Sequence, residues 1–295
     1  MIIMIEIDGS YGESGGQIVR TALSLSAITK KPINIFNIRA NRPNPGLAAQ
    51  HITAARAVRN ICRGTLSHCE IGSTELTFEP GEIFGGRYEF NVGTAGSVIL
   101  VAQTIIPILL YASKPSAVRI IGGTHVMKSP SYDYFEKVFI PAISLFEAQI
   151  KSRMLRSGYY PKGGGEIELN INKSQLKGNE IWARDVCEPD VAVIIRISGL
   201  PLAIAVREKK IFLQNEIERV QIFEEHGEPG NAILAWNGFL GSYALGERGK
   251  RAESVAQECY NNLLMEKNAE KNAGSEVDNL SLPFDSGPWA RDNNA

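Results

Sequence analysis

The sequence is short of the features that mark several common protein classes. Its four cysteines, Cys62, Cys69, Cys187 and Cys259, form no C-x-x-C pair. Neither a disulfide scaffold nor a cysteine-based zinc site is therefore expected. The four histidines, His51, His68, His125 and His226, are scattered, with no spacing that suits zinc. Long apolar runs are missing too. The longest, Val98 to Ala112, is broken by Gln103, Thr104 and Pro107, so it is too short and too polar to span a bilayer. The N-terminus has no charged segment followed by an apolar core and a cleavage site. The expectation is a cytoplasmic protein with no membrane partner. Bulk charge is also absent: the formal net charge is −1, which argues against coating long nucleic acid by electrostatics alone.

The charge that is present is unevenly placed. Within residues 1–60 the cations are Arg20, Lys30, Lys31, Arg39, Arg42, Arg56 and Arg59, against the acids Glu6, Asp8 and Glu13. Such an excess suits a compact anionic ligand or the end of a polynucleotide; a solvated basic face is the plainer alternative.

The stretch Asp8-Gly-Ser-Tyr-Gly-Glu-Ser-Gly-Gly-Gln-Ile-Val-Arg20 follows a short apolar run and leads into a helical segment, Gln17 to Ile28. A glycine-rich turn between strand and helix exposes backbone N–H groups at the positive end of the helix dipole, which suits phosphate. A carboxylate among the glycines, Glu13, is not needed for folding alone, although turns of this kind are also common structural devices.

The remaining pattern is a repeat. The first unit reads strand (4–9), glycine turn, helix, strand (33–39), loop (41–46), helix (47–61) and two short strands (65–71 and 75–78). The second lies roughly 84 residues on: strand (87–92), Gly93-Thr-Ala-Gly-Ser97, helix (98–112), strand (117–121), the loop Gly122 to Pro130, helix (132–149) and strands at 151–155 and 166–171. Each unit is β-α-β-α-β-β, which predicts an α/β (α+β) fold with a four-stranded sheet and two helices on one face, used at least twice. The hairpin Arg156-Ser-Gly-Tyr-Tyr-Pro-Lys-Gly-Gly-Gly165 reads as a tight turn or a binding loop. It is neither a P-loop nor a dinucleotide fingerprint.

From about Trp182 the composition shifts, and residues 182–267 read as a small inserted α/β domain. Its expected elements are strands at 191–197 and 202–206, a helix over 209–223, strands at 232–239 and 241–245 and a helix over 252–265. Residues 268–295 are polar and read as tail or irregular coil.

These motifs resemble those of the RNA 3′-terminal phosphate cyclase family, in colinear order. The carriers are Asp8-Gly9…Gly12-Glu13…Gly15-Gly16-Gln17-Ile18…Arg20, then Ile38-Arg39-Ala40…Arg42…Pro45-Gly46-Leu47…Gln50-His51, then Gly93-Thr-Ala-Gly-Ser97 with Gln103, then Gly122-Gly-Thr124, and finally Arg156…Gly158-Tyr-Tyr-Pro161…Gly163-Gly-Gly165. Gly246-Glu-Arg-Gly-Lys-Arg-Ala252 matches more loosely. The resemblance implies three β-α-β-α-β-β units with a small domain inserted in the third. It also implies an ATP-dependent ligase that uses a divalent metal (Mg or Mn) to turn an RNA 3′-phosphate into a 2′,3′-cyclic phosphodiester. The family route passes through a histidine-bound AMP and an RNA adenylate.

By the same resemblance, Glu13 would hold the metal. Arg20, Gln103, Pro130 and Tyr134 would bind ATP, while Arg39, Arg42, Gln50 and His51 would bind the RNA end and its phosphates. The partners are RNA with a 3′-phosphate and ATP; the sequence sets no oligomeric state. Two departures stand out. His125 occupies a position where the family has an acid, with Met127, Lys128 and Ser131 replacing part of a proline-containing loop. No histidine follows His226, and residues 268–295 do not resemble the family segment that carries the nucleophile, so none is assigned as catalytic. The alternative reading is a non-catalytic cyclase-like RNA-binding protein in RNA processing or ribosome assembly; a superfamily transferase acting on a small phosphorylated molecule fits the arginine and glycine blocks poorly.

Overall fold

The structure is a computed structural model and describes residues 3–178 and 190–273. Both repeats are present as sheets of identical topology. In the first, β1 (Ile5–Asp8), β2 (Ile33–Phe36), β3 (Thr65–Ser67) and β4 (Leu76–Glu79) are ordered β1-β2-β4-β3. In the second, β5 (Arg87–Asn91), β6 (Ser116–Gly122), β7 (Ile150–Arg156) and β8 (Gly165–Ile171) are ordered β5-β6-β8-β7. Each has one parallel pair, β1 with β2 and β5 with β6, and its remaining pairs are antiparallel. A parallel pair needs a crossover. The crossovers are α1 (Gly16–Thr29) and α3 (Val98–Leu110), each entered through a glycine turn.

The chain divides into two compact units. The first comprises residues 1–123, 147–156 and 163–176, and the second comprises residues 124–146, 157–162 and 177–295. In the first, α2 (Ala49–Cys62) contributes Ile52, Ala54, Ala55, Ala57, Val58 and Ile61 to the core, its small residues allowing close approach to α1 and α3. Almost every residue of α3 is buried, as expected for a helix that is apolar all round. Among the described residues no helix is long and apolar enough to cross a membrane.

The second unit holds a helical segment and a third sheet. The helix expected over 132–149 is broken into α4 (Tyr132–Tyr134), a π-helical turn (Phe135–Phe139) and α5 (Ile140–Ser144). The sheet has a different order, β10-β9-β11-β12, built from β9 (Ala192–Ser198), β10 (Arg219–Glu225), β11 (Gly230–Asn237) and β12 (Leu240–Leu245). With α6 (Ala203–Gln214) and α7 (Ala252–Ala273) it encloses a core around Val193, Ile195, Phe212, Ile233 and Cys259.

Here three expectations are corrected. Residues 202–206 are not a strand but the start of α6, with Pro201 supplying the carbonyl for the first turn, a position proline tolerates. The helix expected over 209–223 stops at Gln214, because Glu216 adopts φ 62° and turns the chain into β10, parallel to β9. The final helix runs to Ala273, so 268–273 is not coil. The expected domain start at Trp182, Cys187 and the rest of the expected tail, 274–295, lie outside the described residues.

Candidate functional site

The first glycine turn gathers the site. Gly9 N–H donates to the Phe36 carbonyl at 2.7 Å, and the Asp8 carboxylate accepts from the Ser10 backbone at 2.9 Å and from its hydroxyl at 2.8 Å. These bonds hold the start of the turn. Gly12 and Ser14 then take left-handed conformations, φ 58° and 53°. The turn delivers Gly15 as the N-cap of α1, with no side-chain cap and no acid in the first helical turn. The leading N–H groups of α1 therefore keep no side-chain acceptor, where the helix dipole favours an anion. Ser14 is fully buried, yet its Oγ has no hydrogen-bond partner among the described residues, an arrangement that costs free energy unless a ligand or water completes it.

His51 sits in the first turn of α2 and faces this helix end. A Cβ on Gly16 would collide with its Nε2, so glycine is required there. The His51 Nδ1 accepts the Ala48 N–H at 3.0 Å, which leaves the ring proton on Nε2. His51 is buried, and its pKa is pushed down to about 3 by burial, then by Arg20 and Arg39. It is therefore a neutral donor at physiological pH, with no free lone pair for nucleophilic attack.

Three arginines complete the cluster. Arg20 is steadied by a bond from Nη2 to Gln17 Oε1 at 2.6 Å, and burial lowers its pKa to about 10 without removing its charge at neutral pH. Arg39 adopts φ 55° and donates from Nη1 to the Gly46 carbonyl at 2.7 Å; burial and the neighbouring Arg42 push its pKa down. Arg42 lies 3.3 Å from Glu13, whose side chain is 60% exposed. The charge of Arg42 beside Arg39 is part of what lowers the Arg39 pKa, as fits cations gathered for an anionic partner. The Gln50 Oε1 accepts the Ser97 N–H at 3.0 Å. That bond ties α2 to the N-cap of α3 in the second glycine turn and leaves the amide nitrogen as the donor.

Of the residues picked from sequence, Glu13, Arg20, Arg39, Arg42, Gln50 and His51 all belong to this glycine-turn region of the first unit. Gln103 is half-buried on α3 in the same unit, and no hydrogen bond or ion pair among the described residues joins it to them. Pro130 and Tyr134 belong to the second unit. Tyr134 packs edge-on to Tyr243 at 6.3 Å and against Gly241, and burial raises its pKa. The signature hairpin joins β7 to β8 through residues 157–164. A Cβ on Gly163 would meet the backbone of Thr94 and Ala95 at 2.8 Å, so Gly163 lies directly against the second glycine turn.

A family model described as RNA 3′-terminal phosphate cyclase matches residues 11–279. A protein of that name from Archaeoglobus fulgidus is 40% identical over 287 residues, covering 95% of this chain and 87% of the relative. Another from Sulfolobus acidocaldarius is 44% identical over 275 residues, covering 89% and 81%. One from Ignicoccus hospitalis is 38% identical, covering 95% and 84%. The chain belongs to the RNA 3′-terminal phosphate cyclase family.

For a family member the fate of His125 is informative. It stands at the position where the family has an acid. It is buried in the second unit, with Nε2 3.1 Å from Asp133 and Nδ1 2.8 Å from Thr124 Oγ1, and its ring stacks on Tyr159 at 5.3 Å. Asp133 in turn takes a bidentate bond from Arg196 (Nε to Oδ2 2.7 Å, Nη2 to Oδ1 2.8 Å), and Arg196 reaches Glu225 at 2.8 Å. Burial alone would raise the Asp133 pKa; His125 and Arg196 outweigh it and hold the carboxyl near 2. Sequence reading missed this network, because its members are far apart along the chain. It missed Ser14 too, whose orphaned hydroxyl has no sequence signal beyond its place among the glycines.

Proposed function

We propose that the chain is an ATP-dependent RNA 3′-terminal phosphate cyclase, converting an RNA 3′-phosphate to a 2′,3′-cyclic phosphodiester with release of AMP and pyrophosphate. One observation carries the reading at the level of the site. A neutral histidine donor from α2, three arginines, a buried unpartnered hydroxyl and an uncapped helix N-terminus gather around one glycine turn that carries Glu13.

Arg20, Arg39 and Arg42 bind phosphoryl oxygens through guanidinium forks. His51 Nε2–H and the first N–H groups of α1 orient them without adding a titrating charge. Gln50 offers its amide N–H beside the second turn. In the first unit, Gln103 is proposed to contact the nucleotide.

Among the described residues no three His, Cys, Asp or Glu side chains converge to cage a metal. The residues fit an ion held mainly by phosphate oxygens, with Glu13 adding one carboxylate, which is the habit of Mg²⁺. Such an ion would offset the charge of crowded phosphates.

His51 and His125 have their ring nitrogens engaged as described, and His68 and His226 are exposed, so the described residues supply the phosphate-binding part of the site and the group that carries AMP is not assigned among them. Cyclase assay of Arg39→Ala and Arg42→Ala tests the reading. Both are expected to lose at least tenfold in kcat/KM, since each removes a charge-assisted phosphate contact. Activity equal to wild type in both would refute the site.

A further inference from the structure

The arginine excess near the N-terminus is only partly used by the site above. Arg56, Arg59 and Arg63 remain, all exposed. At 100° per residue Arg56 and Arg59 lie 60° apart on α2, and Arg63 follows as its C-cap. No ion pair joins any of them to a carboxylate among the described residues; Arg56 lies beside Cys69, where Arg59 and Glu70 also act electrostatically. At the far end of the row the Arg63 guanidinium rests 4.0 Å above the ring of Phe84, which is 36% exposed. The Phe84 N–H donates to the Ile61 carbonyl at 2.9 Å, fixing the ring to the end of α2.

We infer that this face of α2 is a track for the RNA strand leading to the 3′ end, with Arg56 and Arg59 on successive phosphates and Arg63–Phe84 as a platform for a base. Gln50 and His51 lie in the first helical turn, so the row begins about one and a half turns beyond the proposed end-binding pair. It runs a further seven residues, about 10.5 Å. Guanidinium groups three and four residues apart suit consecutive phosphates of a single strand. An exposed aromatic ring beside an arginine suits stacking without base preference. Helix-terminal capping would account for Arg59 alone, not for Arg56 or for the exposed ring. The inference rests on the cyclase reading only for the direction of the strand.

The test compares binding of a trinucleotide and a fifteen-nucleotide RNA, both 3′-phosphorylated, to the full chain and to two variants, Arg56→Ala/Arg59→Ala and Phe84→Ser. Wild type is expected to bind the longer RNA more tightly. The double variant should weaken the longer RNA about tenfold, with its salt slope shallower by about 1.4, and should leave the trinucleotide unchanged. Phe84→Ser should weaken the longer RNA about tenfold with no change in slope. Equal binding of both lengths to wild type, or unchanged affinity and slope in the variants, would overturn the track. A parallel weakening of both lengths would place these residues in the end site and overturn it too. Failure of the cyclase reading shows separately, as no preference of wild type for a 3′-phosphate over a 3′-hydroxyl.

Discussion

His51 Nε2 occupies the space that a side chain on Gly16 would need. This relationship locks α2 onto the N-terminus of α1 and aims a neutral N–H donor at the helix end. Gly16→Ala should force the ring aside. The expected cost is about 1–3 kcal/mol of stability, from overpacking at a buried site, with a rise in KM for the phosphorylated substrate. Urea denaturation and steady-state kinetics on one preparation check both.

The depressed pKa of His51 has a signed consequence. The folded state keeps the ring neutral, while the unfolded chain takes up a proton below its ordinary value of 6.5. Stability from this residue is present above pH 6.5 and is lost as pH falls toward 3. His51→Gln should flatten the decline in Tm between pH 6.5 and 4 relative to wild type. Parallel Tm profiles for the two proteins would show that His51 is not buried neutral.

Glu208, on α6, works in the opposite sense. It is fully buried, with Oε2 accepting from Asn231 at 3.0 Å and Oε1 unpartnered among the described residues. Desolvation raises its pKa from 4.5 to about 7. Its stabilising contribution is full below pH 4.5 and is lost as pH rises through 7. Glu208→Gln should therefore gain Tm over wild type progressively from pH 5 to 8, with the difference absent at pH 4.

The Asp133–Arg196 pair should be costly to break from one side. Arg196→Met leaves Asp133 buried with only His125 as partner, and about 3–5 kcal/mol of stability should be lost. Asp133→Asn/Arg196→Met should recover part of that loss, since no buried charge is then left behind. Guanidinium denaturation of both variants separates the two outcomes.

Much of this was legible in the sequence, for physical reasons that differ between elements. The two β-α-β-α-β-β units could be read because each glycine turn separates a short strand from a helix, and both sheets then closed in the same strand order. The arginines and His51 are picked out by resemblance to the family's motif blocks, not by the physical pattern of the residues alone. The second unit was harder. Leu202-Ala-Ile-Ala-Val206 alternates as a strand would, yet it starts α6. The stop at Gln214 depends on Glu216 turning left-handed, which its side chain does not announce. His125 looked like a plain substitution because its partners are Asp133, eight residues on, and through it Arg196 on β9. The tie between the Gln50 carbonyl oxygen and the Ser97 N–H is one that only folding creates.

The central claim, that this chain cyclises RNA 3′-phosphates, is met most directly by the mass of the product. A 3′-phosphorylated oligonucleotide is incubated with ATP, Mg²⁺ and the full chain, and the RNA and nucleotides are resolved together. The account predicts an oligonucleotide lighter by one water and resistant to phosphatase, with one AMP released for each. RNA that binds but keeps its mass and its phosphatase-sensitive end, with no AMP formed, would contradict it.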